Sequence, residues 1–300
     1  MKVRGESSAF MKKHIVSTLI LLCISVIMFS SCHSGNNNDE SNSILIIVNH
    51  NSTTLSLIPE QWITKAKTDL HIAYGHTSHG SQLVDGMTGL VDFKGHLYDF
   101  NEDGSNSALQ LRDCPFLGAS DLGNPDRTAW EAATREYLNA HSEINVIIWS
   151  WCGQVSSASE TDINTYLNLM DGLETDYPDV SFVYMTGHLD GTGLDGNLHL
   201  RNEQIRNYCN EHIKILYDFA NIETYDPDNT YFGDKIPNDN CDYDSNNDGT
   251  RDGNWAIEWQ TAHPGEWYDC NCAHSQALNG NRKAYAAWWL WSRLVGWSGT

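Results

Sequence analysis

LHIAYGHTSHGSQLVDGMTGL, running from Leu70 to Leu90, opens as a strand and closes as a helix. Leu70, Ile72 and Tyr74 alternate, the period of an extended chain. Gly75 breaks the run, and a polar turn follows: His76, Thr77, Ser78, His79, Gly80 and Ser81. Leu83, Val84, Met87 and Leu90 then recur at helical spacing. A strand that passes through a tight polar turn into a helix puts that turn at the carboxyl edge of a sheet, where open α/β sheets bind ligands. A hydroxyl there faces the positive end of the helix, which favours a developing oxyanion. Serine and threonine in such turns often do no more than cap the helix. Three hydroxyls and two imidazoles within one short turn make this a candidate active site.

The same alternation of strand and helix extends in both directions. Ile44 to Val48 reads as a short strand, and a helix starts near Pro59. Residues 94 to 128 are rich in Gly, Asp, Asn and Ser and read mostly as loop, including the stretch from Gly118 to Gly123. Thr128 to Ala140 has helical spacing, and Asn145 to Trp149 (NVIIW) is a buried strand ending in Trp151, Cys152, Gly153 and Gln154. Thr161 to Tyr177 is helical, and Val180 to Met185 is a strand that ends in Thr186, Gly187 and His188. Leu200 to His212 is a helix, Ile213 to Phe219 a strand, and the Trp-rich segment Asn281 to Trp297 a last helix. Continuous apolar strands alternating with helices predict a three-layer α/β/α fold, flavodoxin-like, with a parallel sheet of about five strands.

The amino-terminal segment reads as a processing signal. Met11, Lys12 and Lys13 give a basic start, Ile15 to Phe29 is apolar, and Phe29-Ser30-Ser31-Cys32 closes it. The pattern is similar to a bacterial lipoprotein signal, which implies lipidation of Cys32 and an outer-membrane or surface location. The expected organisation is a signal over 1–32, a tether and lead-in over 33–60, and one domain over 61–300 with a long acidic insertion at 226–269.

The chain carries a formal charge of −21. Four of its 18 basic residues but only one of its 39 acids lie in residues 1–31, so the exported part is more acidic still. Such a surface argues against nucleic acid and anionic lipid as partners. Beyond Cys32 there are six cysteines: Cys114, Cys152, Cys209, Cys241, Cys270 and Cys272. An exported chain permits disulfides. A bridge from Cys241 to Cys270 or Cys272 is expected, with a CxC zinc site as the alternative.

The blocks Gly75-His76-Thr77-Ser78, the glycines of the Gly118–Gly123 loop, Gly153-Gln154 and the segment Asp269 to His274 resemble the SGNH, or GDSL-type, hydrolase superfamily in its Gly-His-x-Ser branch. The resemblance spans about residues 70 to 297. It implies a serine ester hydrolase in which Ser78 is the nucleophile, His274 the base and Asp269 its orienting acid. Gly118 or Gly123 and Gln154 would join Ser78 in an oxyanion hole. Gln154 stands where the family has Asn, and Asn271 stands where it has the orienting Asp, so Asn271 is a second candidate for that role. Thr77 and Ser81 are rival nucleophiles. His76, His79, His188 and Trp151 are candidate substrate-binding residues, and the substrate is a small acyl or glycan ester. No cofactor is expected for catalysis.

Three other readings stay open. His76, His79, His188, Asp190 and His274 could bind a metal for a metal-dependent hydrolase. Trp149, Trp151, Trp255, Trp259 and Trp267 could serve a non-catalytic glycan-binding lipoprotein. Asp244, Asn246, Asp248 and Asp252, with Gly249 among them, resemble the first part of an EF-hand-type Ca²⁺ loop, but Trp255 holds the twelfth place. That segment is either a structural calcium site closed by another carboxylate or a solvated acidic turn.

Overall fold

The computed structural model describes residues 44–300. The signal, Cys32 and most of the tether lie outside the described residues. The domain is built on seven parallel strands: β1 (Ile46–Val48), β2 (His71–Gly75), β3 (Phe100–Asn101), β4 (Leu109–Asp113), β5 (Val146–Trp149), β6 (Ser181–Met185) and β7 (Ile215–Tyr217). Their order is β1-β7-β6-β5-β2-β4-β3.

The three-layer α/β/α expectation holds, with seven strands rather than about five. The two extra strands, β3 and β4, lie inside the segment that reads as loop. β4 is recognisable afterwards: Leu109 and Leu111 point into the core and Gln110 alternates with them.

The helices are α1 (Glu60–Asp69), α2 (Ser81–Lys94), α3 (Ala129–Ala140), α4 (Glu160–Asp176), α5 (Asn197–Glu211), α6 (Phe219–Glu223), α7 (Trp255–Ala262) and α8 (Ala277–Leu294). Alternation along the strands divides the core in two. Ile72, Tyr74, Ile148 and Val183 face one layer with Leu83 and Met87 of α2 and Trp288 and Trp291 of α8. Ala73, Ile147, Trp149 and Tyr184 face the other, with Trp130 of α3 and Tyr166 of α4. Sheets covered on both faces need this double burial. The Trp cluster of the last helix is therefore core.

The acidic excursion carries a small core of its own. Phe232, Cys241, Trp255 and Ala256 pack with Leu278 at the start of α8. The hairpin of β8 (Asp242–Tyr243) and β9 (Gly253–Asn254) lies beside it.

α2 and α8 approach closely. A Cβ on Gly86 would run into the Gly280 carbonyl oxygen. Tyr268 locks the same junction, its hydroxyl donating to the Gly86 carbonyl at 2.8 Å. This contact sets the site, because the turn before α2 carries Ser78 and the turn before α8 carries His274. No described helix is long and apolar enough to cross a membrane.

Candidate functional site

β2 is the strand at which chain order reverses: β4 and β3 lie on one side, β5, β6 and β7 on the other. The crevice at such a point, beyond the carboxyl ends of the strands, is where this class of sheet binds ligands. Four loops meet there, following β2, β5 and β6 and preceding α8. They bring Ser78, Cys152, His188 and His274 together across the sequence.

Ser78 has φ +43° and His274 φ +64°, both in the left-handed region that side chains disfavour. Such strain is kept where surrounding structure enforces it, and a serine on a sharp strand-to-helix turn presents its hydroxyl outward. Ser78 Oγ is hydrogen-bonded to His274 Nε2. The rival hydroxyls point elsewhere: Thr77 Oγ1 donates to Asp121 Oδ2 at 2.6 Å, and Ser81 Oγ donates to Asp85 Oδ2 at 2.9 Å. Gly80 completes the turn, since a Cβ there would collide with the Ser150 side chain.

Among the described residues no carboxylate is hydrogen-bonded to His274. Asp269 has its backbone against Gly89 on α2. Asn271 donates to Asp85 at 3.3 Å. What touches His274 is the ring of His79, stacked with centroids 4.4 Å apart. His79 in turn stacks on His188 at 3.5 Å and bonds Asp239 Oδ2 through Nε2 at 2.9 Å.

Gln154 and Gly123 converge, but on a carboxylate. Gln154 Nε2 donates to Asp121 Oδ1 at 3.0 Å, and the Gly123 N–H donates to the same oxygen at 2.8 Å. Gln154 Oε1 accepts from the Cys152 N–H. Asp121 is thus a buried hub that holds the Thr77, Gly123 and Gln154 loops in register. Gly118 lies in the open: a Cβ built there would meet nothing within 4 Å.

His76 belongs to a different cluster. Its Nε2 lies 2.6 Å from Asp113 Oδ1, and Cys114 Sγ donates to the His76 carbonyl. Burial works against its charge, yet Asp113 and Cys114 outweigh burial and push the imidazole up to about 9. It lines a cleft of about 270 Å³ with Thr77, Ser120 and Trp149. Another cavity, of about 380 Å³, opens beside α5 and is lined by Leu198, Tyr225, Arg206 and Asp218. Its Arg206 is already held by Asp218 in two bonds of 2.6 and 2.8 Å.

Several candidates are buried or turned away from the Ser78–His274 pair. Trp151 is 2 % exposed and its Nε1 donates to the Met185 carbonyl, so it packs the core rather than a substrate. Trp149 and Trp255 are buried as well, although Trp149 borders the cleft that His76 lines. Asp190 turns to Thr192 instead of the histidines. No disulfide joins the described cysteines; the Cys241 thiol sits 3.6 Å from Ser275 Oγ, not against Cys270 or Cys272. Asp244, Asn246, Asp248 and Asp252 do gather in one loop, where Asp244 accepts backbone N–H groups of Asn246, Asp248 and Gly249.

Two site residues escaped the sequence reading, Asp121 and Asp239. Each is one acid among many in a long polar segment, and only tertiary structure turns it toward Thr77 or His79. Glu223 and Lys283 escaped as well, each a charged residue on a helix that only tertiary packing buries. They form a fully buried pair, Nζ to Oε1 2.5 Å, beneath the site.

The architecture and the site place the chain among α/β/α proteins with a serine–histidine pair on the sheet's carboxyl rim. The chain matches no family model and no curated protein.

Proposed function

We propose that the chain is a serine ester hydrolase of the SGNH type, acting on a small acyl or carbohydrate ester. The observation that carries this reading is the hydrogen bond from Ser78 to His274, two residues 196 positions apart brought together at the switch point of a parallel sheet. In the mechanism, His274 Nε2 takes the Ser78 proton as Oγ attacks the ester carbonyl. It then returns that proton to the leaving alcohol. A water, activated by the same imidazole, releases the acid and restores Ser78. The N–H of Ser78 faces the developing oxyanion at the head of the turn. Gln154 and Gly123 act on it only after releasing Asp121.

Export as a lipoprotein anchored through Cys32, and calcium in the Asp244–Asp252 loop, are part of the same proposal. An exported acidic domain of this kind meets glycan esters at the cell surface.

The test is fluorophosphonate labelling followed by peptide mapping, with hydrolysis of p-nitrophenyl acetate as the rate measurement. The label should fall on Ser78, and Ser78→Ala should lower turnover about 10⁴-fold or more while keeping the fold. Wild-type turnover in Ser78→Ala, or a label on Ser81 or Thr77, overturns the assignment.

A further inference from the structure

One group at the rim is left unused by the serine chemistry. His188 is 8 % exposed, and its Nδ1 lies 2.8 Å from the Leu189 carbonyl. A carbonyl only accepts, so Nδ1 carries the proton and Nε2 presents a lone pair. That Nε2 is buried and has no partner among the described residues. A buried acceptor without a donor is costly, and its persistence asks for a ligand. The peptide holding the ring is itself fixed, since the Leu189 N–H donates to Glu223 Oε2 at 2.8 Å.

Two further donor groups lie close by. One ligand atom each from His79, His188 and Asp239 all lie within 4.8 Å of one another. They come from three separate segments: the turn after β2, the loop after β6, and the acidic excursion. Burial pulls the His188 imidazole down, toward the neutral form that ligates metals. Burial disfavours the Asp239 carboxylate, but the bond from His79 outweighs it. Cys152 Sγ stands 3.7 Å from His79 Nδ1, at the edge of the cluster.

We propose that His79, His188 and Asp239 form a binding site for one divalent transition-metal ion, beside the Ser78–His274 pair. Two imidazoles and one carboxylate suit Zn²⁺, Mn²⁺ or Fe²⁺ rather than Ca²⁺, which prefers oxygen ligands alone. The proton on His188 Nδ1, held by a backbone carbonyl, is the outer contact that orients a metal-binding histidine. The His79 and His188 rings stand parallel, so their lone pairs do not converge as they lie. Sharing an ion requires one ring to turn about its Cβ–Cγ bond and Asp239 to exchange its bond to His79 for one to the ion. Gly153 leaves room for this: even a Cβ there would come no nearer than 4.0 Å to His188 Nε2. One of the ion's ligands, His79, directly follows the nucleophile in sequence. The ion would supply positive charge to an acyl oxygen where Gln154 and Gly123 are committed to Asp121.

The test does not depend on turnover. Full-length protein is stripped with a chelator, dialysed, and titrated calorimetrically with ZnCl₂ and MnCl₂; bound metal is counted by mass spectrometry, and CoCl₂ provides an absorption spectrum. One equivalent should bind, and His188→Ala should weaken binding about 10- to 100-fold or more. Asp239→Asn, which keeps the shape of the side chain, should do likewise and covers the case in which His188→Ala does not fold. Ser78→Ala should bind as the wild type does, so failure of the serine reading and failure of the metal reading are separable. Absence of one-equivalent binding by the wild type overturns the proposal. So does unchanged affinity in both His188→Ala and Asp239→Asn, which would move the ion to His76, Asp113 and Cys114.

Discussion

His76 is the residue whose surroundings contradict its sequence neighbours. It sits two positions before Ser78, yet it faces Asp113 and the cleft beyond β4 rather than the serine. Its imidazole is held near 9 against an ordinary 6.5. The folded state therefore binds this proton more tightly than the unfolded chain does. The resulting stability is fully present below pH 6.5 and is lost as pH rises through about 9. The gap corresponds to about 3 kcal/mol at most, and less in practice because Asp113 is partly exposed and screened. Calorimetry from pH 6 to 9.5 should show Tm falling in the wild type and falling less in Asp113→Asn. Parallel curves for the two proteins would show that the pair is not ionic. The same residue scale explains what could not be read from sequence. His76, His79 and His188 look alike there, and the difference between an ion pair with Asp113, a stack against His274 and an unpartnered lone pair is made entirely by tertiary contacts.

At the scale of elements, the site is the product of one helix crossing. Ser78 is carried by the turn before α2 and His274 by the turn before α8, and the two helices touch through Gly86 and Gly280. Neither glycine is needed for its backbone angles. They are small because two backbones pass there. Gly86→Ala is expected to push the helices apart at about 1–3 kcal/mol of stability. It should also slow fluorophosphonate labelling of Ser78, since the Ser78–His274 distance follows the crossing. A variant with wild-type melting and labelling would show that the helices can slip without effect. The elements themselves were largely legible. The Leu70–Leu90 stretch, NVIIW and VSFVYM are apolar strands long enough to stand out, and each ends in a polar turn. β3 and β4 were not, because they are two and five residues long and lie in a segment whose Gly, Asp and Asn content reads as loop. The crossing was invisible, because a glycine inside a helical pattern signals only a weakened helix until its partner is known.

At the scale of the molecule, three of the four site loops are tied together from beneath by one buried charge. Lys283 lies in α8 with no side-chain exposure, its Nζ 2.5 Å from Glu223 Oε1, bonded also to Gln82 Oε1 and set over the Phe219 ring. Gln82 follows the Ser78 turn and donates to the carbonyl of Ala273, the residue before His274. Glu223 accepts from Leu189, the residue after His188, and from Asn279, one helical turn before Lys283. A lysine amid tryptophans reads in sequence as a solvated position on an amphipathic helix; here it is the centre of the interior. A buried pair of this kind contributes little net stability compared with apolar residues, but breaking it strands the other charge. Lys283→Met should therefore cost about 3–5 kcal/mol, measured by urea unfolding. It leaves the Glu223 carboxylate facing only Leu189 and Asn279, so the His188 loop should loosen first. Hydrogen exchange at Leu189 should then rise more than exchange in β2 or β5. Equal protection at all three, with wild-type unfolding, would mean that the loops are held by the sheet and not by this pair.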